Sequence, residues 1–213
     1  QWRVSMDRQK FLEEQRKALE ESIEFFSNSR KPERELWVAK LFITNLNVSF
    51  SNQEVRSAQQ DPPDVVFRNA QFEIKEILDP GRRRHDEYKQ ALARANQAED
   101  PTDLLETFTP RGISLKEVVD LTSDEVAALE QKYPPEVRKK LDLLFYVNLQ
   151  HVIGLLEEPS PTFDMLSSAG WRSVSFVKGN WSCILFAAPE APVFLRGKIG
   201  TVSHRQWQEE HRI

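Results

Sequence analysis

The chain predicts an α/β domain, a mixed central β-sheet flanked by helices, and three features predict it. Two strand-like runs, residues 64–68 and 71–78, alternate polar with β-branched and aromatic side chains, and only Asn69-Ala70 separates them. A second pair of apolar runs, residues 171–177 and 181–187, flanks the turn signal Lys178-Gly179-Asn180. Amphipathic helical patterns stand on either side of the first pair, over residues 6–27, 32–46 and 84–96.

Each element has its own warrant. In residues 6–27, within a segment 1–30 set before the core, Leu12, Leu19, Ile23 and Phe26 recur at helical spacing among Glu, Lys and Arg. This helix is expected to pack on its own domain, with a homodimer contact as the alternative. Residues 32–46 begin with proline at a position suited to a first helical turn. A strand is expected within residues 53–59. After the first hairpin, Asp79-Pro80-Gly81 marks a turn, and Arg82-Arg83-Arg84 leads into the helix over 84–96. Residues 100–140 read as a helical insertion. Its signals are Ser114 ahead of Leu115-Lys116-Glu117-Val118, and the capping pattern Thr122-Ser123-Asp124-Glu125 before a helix over 125–132. Residues 141–149 are apolar enough for a buried central strand. Pro159-Ser160-Pro161 breaks the chain, residues 193–195 read as a further strand, and Trp207 falls in a short terminal helix. With 213 residues and 39% hydrophobic content, these pieces make one domain: the N-terminal helix, a core over 32–97, the insertion, and the remaining sheet over 141–213.

The first hairpin carries the chemistry. A connection centred on Asn69-Ala70 pairs residues whose numbers sum to 139, so Val66 faces Glu73 and Asp64 faces Lys75. Opposed residues share a face of an antiparallel ladder, and alternate residues return to it. Asp64, Glu73 and Lys75 therefore converge, while Val65, Phe67, Phe72 and Ile74 turn to a core. Two convergent carboxylates are hard oxygen ligands suited to magnesium, which keeps several waters and takes one or two protein carboxylates. Manganese is the natural substitute. Lys75 would then steady an attacking water and offset charge on a phosphate. A solvated Glu73–Lys75 pair on an open sheet face, worth about 0–1 kcal/mol, is the structural alternative in a chain that is 29% charged.

The order helix, strand, Pro63-Asp64, strand with Glu73-Ile74-Lys75, helix resembles the PD-(D/E)XK nuclease superfamily, whose fold is restriction-endonuclease-like. The resemblance spans residues 32–97. It implies that Asp64, Glu73 and the backbone carbonyl of Ile74 bind the metal and that Lys75 serves the attacking water. It also implies an acidic residue from the first helix. Glu35 shares a helical stripe with Ala39, Phe42 and Leu46, which should face the sheet, and is preferred to Glu33. Arg82, Arg83 and Arg84 could clamp a phosphate. Tyr88 loosely matches a tyrosine that some members carry on the helix after the lysine strand. The whole chain is also similar to a small family of bacterial proteins described as endonucleases.

Composition bounds the partners. The formal charge is −4, but residues 171–213 carry six basic against three acidic residues, and residues 99–142 carry six basic against eleven acidic. A nucleic acid, with DNA the expected substrate, would meet the C-terminal strands rather than the acidic middle. No stretch approaches a membrane span or a signal peptide, so the chain reads as cytoplasmic. Cys183 reads as a buried inert thiol, and His151 as a strand-end or core residue. A Gly-rich phosphate loop, a nucleophile elbow, Cys-x-x-Cys and His-Glu-x-x-His are all missing. The function expected is a metal-dependent endonuclease. Its rivals are an inactive module of the same fold that binds nucleic acid, and a structural partner in a protein complex.

Overall fold

The alternating runs of the sequence assemble into a seven-stranded sheet in the order β1 (Val55–Ser57), β2 (Val65–Phe67), β3 (Ala70–Ile77), β5 (Asp142–Val147), β7 (Ser173–Lys178), β8 (Trp181–Ala187) and β9 (Val202–His204). The computed structural model describes residues 2–156 and 164–205. β3, β5 and β7 run parallel, whereas β1-β2-β3 and β7-β8-β9 are antiparallel, which makes the sheet mixed as expected. The helices are α1 (Trp2–Phe25), α2 (Lys31–Asn45), α3 (Arg84–Gln97), α4 (Leu115–Glu130), α5 (Pro135–Arg138), α6 (Asp164–Ser168) and α7 (Val193–Arg196). A separate two-stranded parallel sheet, absent from the sequence reading, joins β4 (Arg111–Ser114) to β6 (Val152–Leu156). Among the described residues no helix is long and apolar enough to cross a membrane.

The chain divides into two compact units. One comprises residues 1–34 and 80–109. Here α1 packs along α3: Leu12 and Ala95 are buried, and Arg16 of α1 donates from Nε to Ala95 O at 2.9 Å, near the C-terminus of α3. The other unit, residues 35–79 and 110–213, holds both sheets. Alternation along its strands feeds two apolar clusters. Val65, Phe67, Phe72, Ile74 and Leu144 pack with Val38, Ala39, Phe42, Ile43 and Leu46 of α2. Ile77, Leu143, Phe145, Val174 and Phe176 pack with Val118, Val126 and Leu129 of α4, and with Tyr133 and Trp171.

Three details depart from the sequence reading. The β2–β3 register is Val65↔Phe72, Val66↔Gln71 and Phe67↔Ala70, so paired numbers sum to 137 and the turn is Arg68-Asn69. Ala70 is buried in the ladder, while Arg68 takes φ +53° and donates from Nε to Glu54 at 3.0 Å. The helix expected over 125–132 is the second half of α4, which starts at the Ser114–Glu117 capping box. Thr122 and Ser123 do not cap, because each hydroxyl donates to Val119 O, at 2.9 and 2.8 Å, inside the helix. Residues 193–195 form no strand. Pro192 caps the single helical turn α7, with Leu195 N and Arg196 N donating to its carbonyl, and β9 takes the place beside β8. His151 lies exposed at φ +61° just before β6, at a strand end, which is one of the two places expected for it. The expected terminal helix with Trp207 and the Pro159-Ser160-Pro161 break lie outside the described residues.

Candidate metal centre

β3 sits between β2 and β5, and its odd-numbered residues from Glu73 to Ile77 face the α4 side of the sheet. Glu73 and Lys75 are therefore not a solvated pair: their side chains are 2% and 23% exposed. Lys75 Nζ donates to Glu73 Oε1, and Tyr133 reaches in from beyond α4 to donate its hydroxyl to the same oxygen at 2.5 Å. Lys75 Nζ also lies 3.3 Å from Ile74 O and 5.8 Å from the centre of the Tyr133 ring. Burial, then the hydrogen bond to Glu73, and then the charges of Glu73, Asp61 and Asp64 push the Tyr133 hydroxyl well above its ordinary pKa. It stays a donor.

Asp64 arrives from the end of β2. Its N–H donates to Phe72 O at 2.9 Å, and its Oδ2 accepts from Ile74 N at 2.8 Å. Phe72 and Ile74 are two apart on β3, so both present their backbone groups toward Asp64, and Ile74 O faces the same side. The two-residue change of register preserves the convergence, because faces alternate with period two. It moves Asp64 from opposite Lys75 to the end of the ladder, bonded to Phe72 and Ile74 on either side of Glu73.

Asp61, Asp64 and Glu73 each offer a carboxylate oxygen, and these three oxygens lie within 4.8 Å of one another. Opposite oxygens around a cation with bonds of about 2.1 Å are roughly 4.2 Å apart, so small side-chain adjustments would close the set. The donor chemistry fits: three hard oxygens gather here, and among the described residues no imidazole or thiol joins them. A second observation points the same way. Glu73 Oε2 is buried and, among the described residues, has no hydrogen-bond partner, while Oε1 takes both donors. An unmatched buried carboxylate oxygen costs upward of about 1–3 kcal/mol, and a cation would remove that cost.

The other sequence candidates lie elsewhere. Glu35 is buried on α2, the helix whose Phe42 packs on Phe72 across the other sheet face, and it is not among the three gathered carboxylates. Glu33 pairs with Arg30 at 2.5 Å. Arg82 pairs with Glu87 at 2.8 Å, and Arg84 is buried with its guanidinium 3.9 Å above the Phe26 ring. Tyr88 stacks on that same ring at 5.1 Å. These contacts build the helical unit, whereas Arg83 is exposed. Of the C-terminal cations, Arg172 pairs with buried Asp142, Lys198 donates to Leu46 O, and Lys178 is buried.

The chain matches, over residues 7–208, the model of the family described as "Putative endonuclease, protein of unknown function (DUF1780)". It belongs to that family. A solved structure from Pseudomonas aeruginosa strain PAO1 is similar: 27% identical, with a TM-score of 0.65, over 92% of this chain and 94% of that one. That protein is described as of unknown function and of the Monooxygenase Superfamily. No curated protein matches the chain.

Two residues of the centre escaped the sequence reading. Asp61 stands three positions before Asp64 across Pro62-Pro63, and a second acidic residue beside Pro63-Asp64 was an available signal. Tyr133 is sixty residues from Glu73, and nothing local marks it.

Proposed function

We propose that the chain is a magnesium-dependent nuclease of the PD-(D/E)XK type, hydrolysing phosphodiester bonds in DNA, with manganese able to replace magnesium. The observation that carries this reading is the buried, unpartnered Oε2 of Glu73, set beside Asp61 and Asp64 while Lys75 holds the other oxygen. Glu73 Oε2, Asp64 and the carbonyl of Ile74 would hold the ion, and Asp61 would add a carboxylate that the superfamily pattern does not require. When bound, the ion supplies Lewis-acid polarisation of a phosphoryl oxygen and a lower pKa for water.

The chain's own residues do the rest. Tyr133 and Lys75 together fix the Glu73 carboxylate in one orientation, with Oε2 directed away from both donors. Lys75 keeps an ammonium at the edge of the cluster, where it can steady the attacking water and offset charge that builds on the phosphate. The Asp64–Ile74 N hydrogen bond ties the second carboxylate to the backbone and limits its motion. Glu35 has no place in this set. The name of the Pseudomonas relative suggests oxygen chemistry, but three carboxylates, a lysine and a tyrosine do not make the two-histidine, one-carboxylate set of non-haem iron oxygenases.

The test is cleavage of linear, nicked, branched and single-stranded DNA and RNA with magnesium, by wild type, Lys75→Ala and Asp64→Asn. Wild type should cut DNA. Lys75→Ala should keep its magnesium affinity and lose cleavage by orders of magnitude, and Asp64→Asn should lose both. Wild-type protein that binds these substrates and cuts none would be an inactive module, and the enzyme reading would fall.

A further inference from the structure

The sheet face that carries the carboxylates continues outward onto β1 and β2. Arg56 pairs with Val66, and Val66 with Gln71, so Arg56, Val66 and Gln71 share a face. Asp64 and Glu73 lie one alternation further along β2 and β3, on that same face. Strand rise and spacing place the Cα of Arg56 roughly 8 Å from that of Asp64, about one nucleotide step.

Here the face is open. A depression of about 410 Å³ lies over it, lined by Arg56, Ser57, Ala58, Gln59 and Val66. β1 is the end strand of the sheet, and Arg56, Ser57 and Gln59 are all exposed. The lining is chemically mixed in an instructive way. A guanidinium offers a fork that matches a phosphate, an amide is an ordinary donor to phosphate and sugar, and a valine floor suits the apolar side of a sugar or base. The volume suits one nucleotide, not the width of a duplex. Charge fits as well: Asp61 and Asp64 repel a polyanion, and Arg56 supplies the opposite sign one step away.

We propose that this depression holds the nucleotide next to the scissile phosphate, with Arg56 gripping that nucleotide's own phosphate. The inference rests on the nuclease reading and names the strand path that reading lacks. Strand enters along β1 and crosses β2 to the carboxylates. The groove thereby sets which phosphate reaches the metal centre, and Arg56 acts on substrate binding rather than on the ion.

The experiment measures binding of a fluorescent single-stranded oligonucleotide by anisotropy across a salt series, with calcium in place of magnesium to prevent cleavage. Magnesium affinity is measured by calorimetry on the same proteins. Arg56→Ala should bind roughly tenfold more weakly, with a salt slope shallower by about 1, while magnesium affinity stays at the wild-type value. Arg56→Lys should recover the slope, because it restores the charge, but only part of the affinity, because the fork is gone. Wild type that binds and cleaves DNA while Arg56→Ala keeps the same slope overturns the groove and leaves the nuclease reading standing. Loss of magnesium affinity in Arg56→Ala also overturns it, since Arg56 would then act on the carboxylates. Wild type that neither binds nor cleaves overturns both.

Discussion

Tyr133→Phe removes one oxygen from the centre and leaves the ring in place against Trp171, 5.4 Å away. No cavity opens. What is lost is the 2.5 Å hydrogen bond to Glu73 Oε1, and because Glu73 is buried, water does not readily replace the donor. A hydrogen bond to a charged group contributes about 1.5–3 kcal/mol, so a loss near 2 kcal/mol is expected. For a chain of this size that lowers the unfolding midpoint by roughly 4–8 °C. The second consequence concerns the ion. With one of its two anchors gone, Glu73 can rotate Oε2 away, and losing such an outer partner costs about 10–100-fold in metal affinity. Scanning calorimetry reads the first effect and magnesium titration the second. A Tyr133→Phe protein with wild-type melting and wild-type magnesium affinity would refute the orienting role.

Asp142 is wholly buried, accepting from Arg172 Nε at 3.1 Å, from Ser173 Oγ at 2.8 Å and from Gln71 N at 2.9 Å, so Asp142→Ala should cost about 3–5 kcal/mol in urea unfolding. A loss under about 1 kcal/mol would show that this cluster does not anchor the hairpin to β5 and β7. Arg84→Ala should lower the melting temperature, because it strips a guanidinium from the Phe26 ring, whereas exposed Arg83→Ala should not. If either arginine meets nucleic acid, Arg83→Ala alone should flatten the salt slope of binding without a stability change. Burial pushes the Cys183 thiol from 9.0 up to about 12. Between those pH values the unfolded chain releases a proton that the folded chain keeps, so stability falls as pH rises. Cys183→Ala should lessen that fall, and an identical pH profile in the two proteins would contradict the burial.

The parts of this fold that were legible in the sequence rest on local periodicity. Alternation in residues 65–67 and 70–77 separates Phe72 and Ile74 from Glu73 and Lys75, and the structure keeps that division with α2 on one side and Tyr133 on the other. The same alternation is blind to a slide of two residues, which is why Arg68-Asn69 rather than Asn69-Ala70 makes the turn without disturbing the faces. A run as short as Val193-Phe194-Leu195 carries no period at all, and Pro192 settled it as a helical turn. Thr122-Ser123 imitates a helix start, but the competing cap at Ser114 lies upstream and α4 runs through. Tyr133 meets Glu73 only because the chain returns through β4 and α4 to the same face. No window along the sequence contains both residues.

The central claim is that Asp61, Asp64 and Glu73 hold one divalent cation, and anomalous diffraction from crystals soaked in manganese tests it most directly. The account predicts one strong peak within bonding distance of Glu73 Oε2 and Asp64, lost when Glu73→Gln crystals are soaked in the same way. Soaked wild-type crystals with manganese bound elsewhere, or with no peak among these carboxylates, would contradict it.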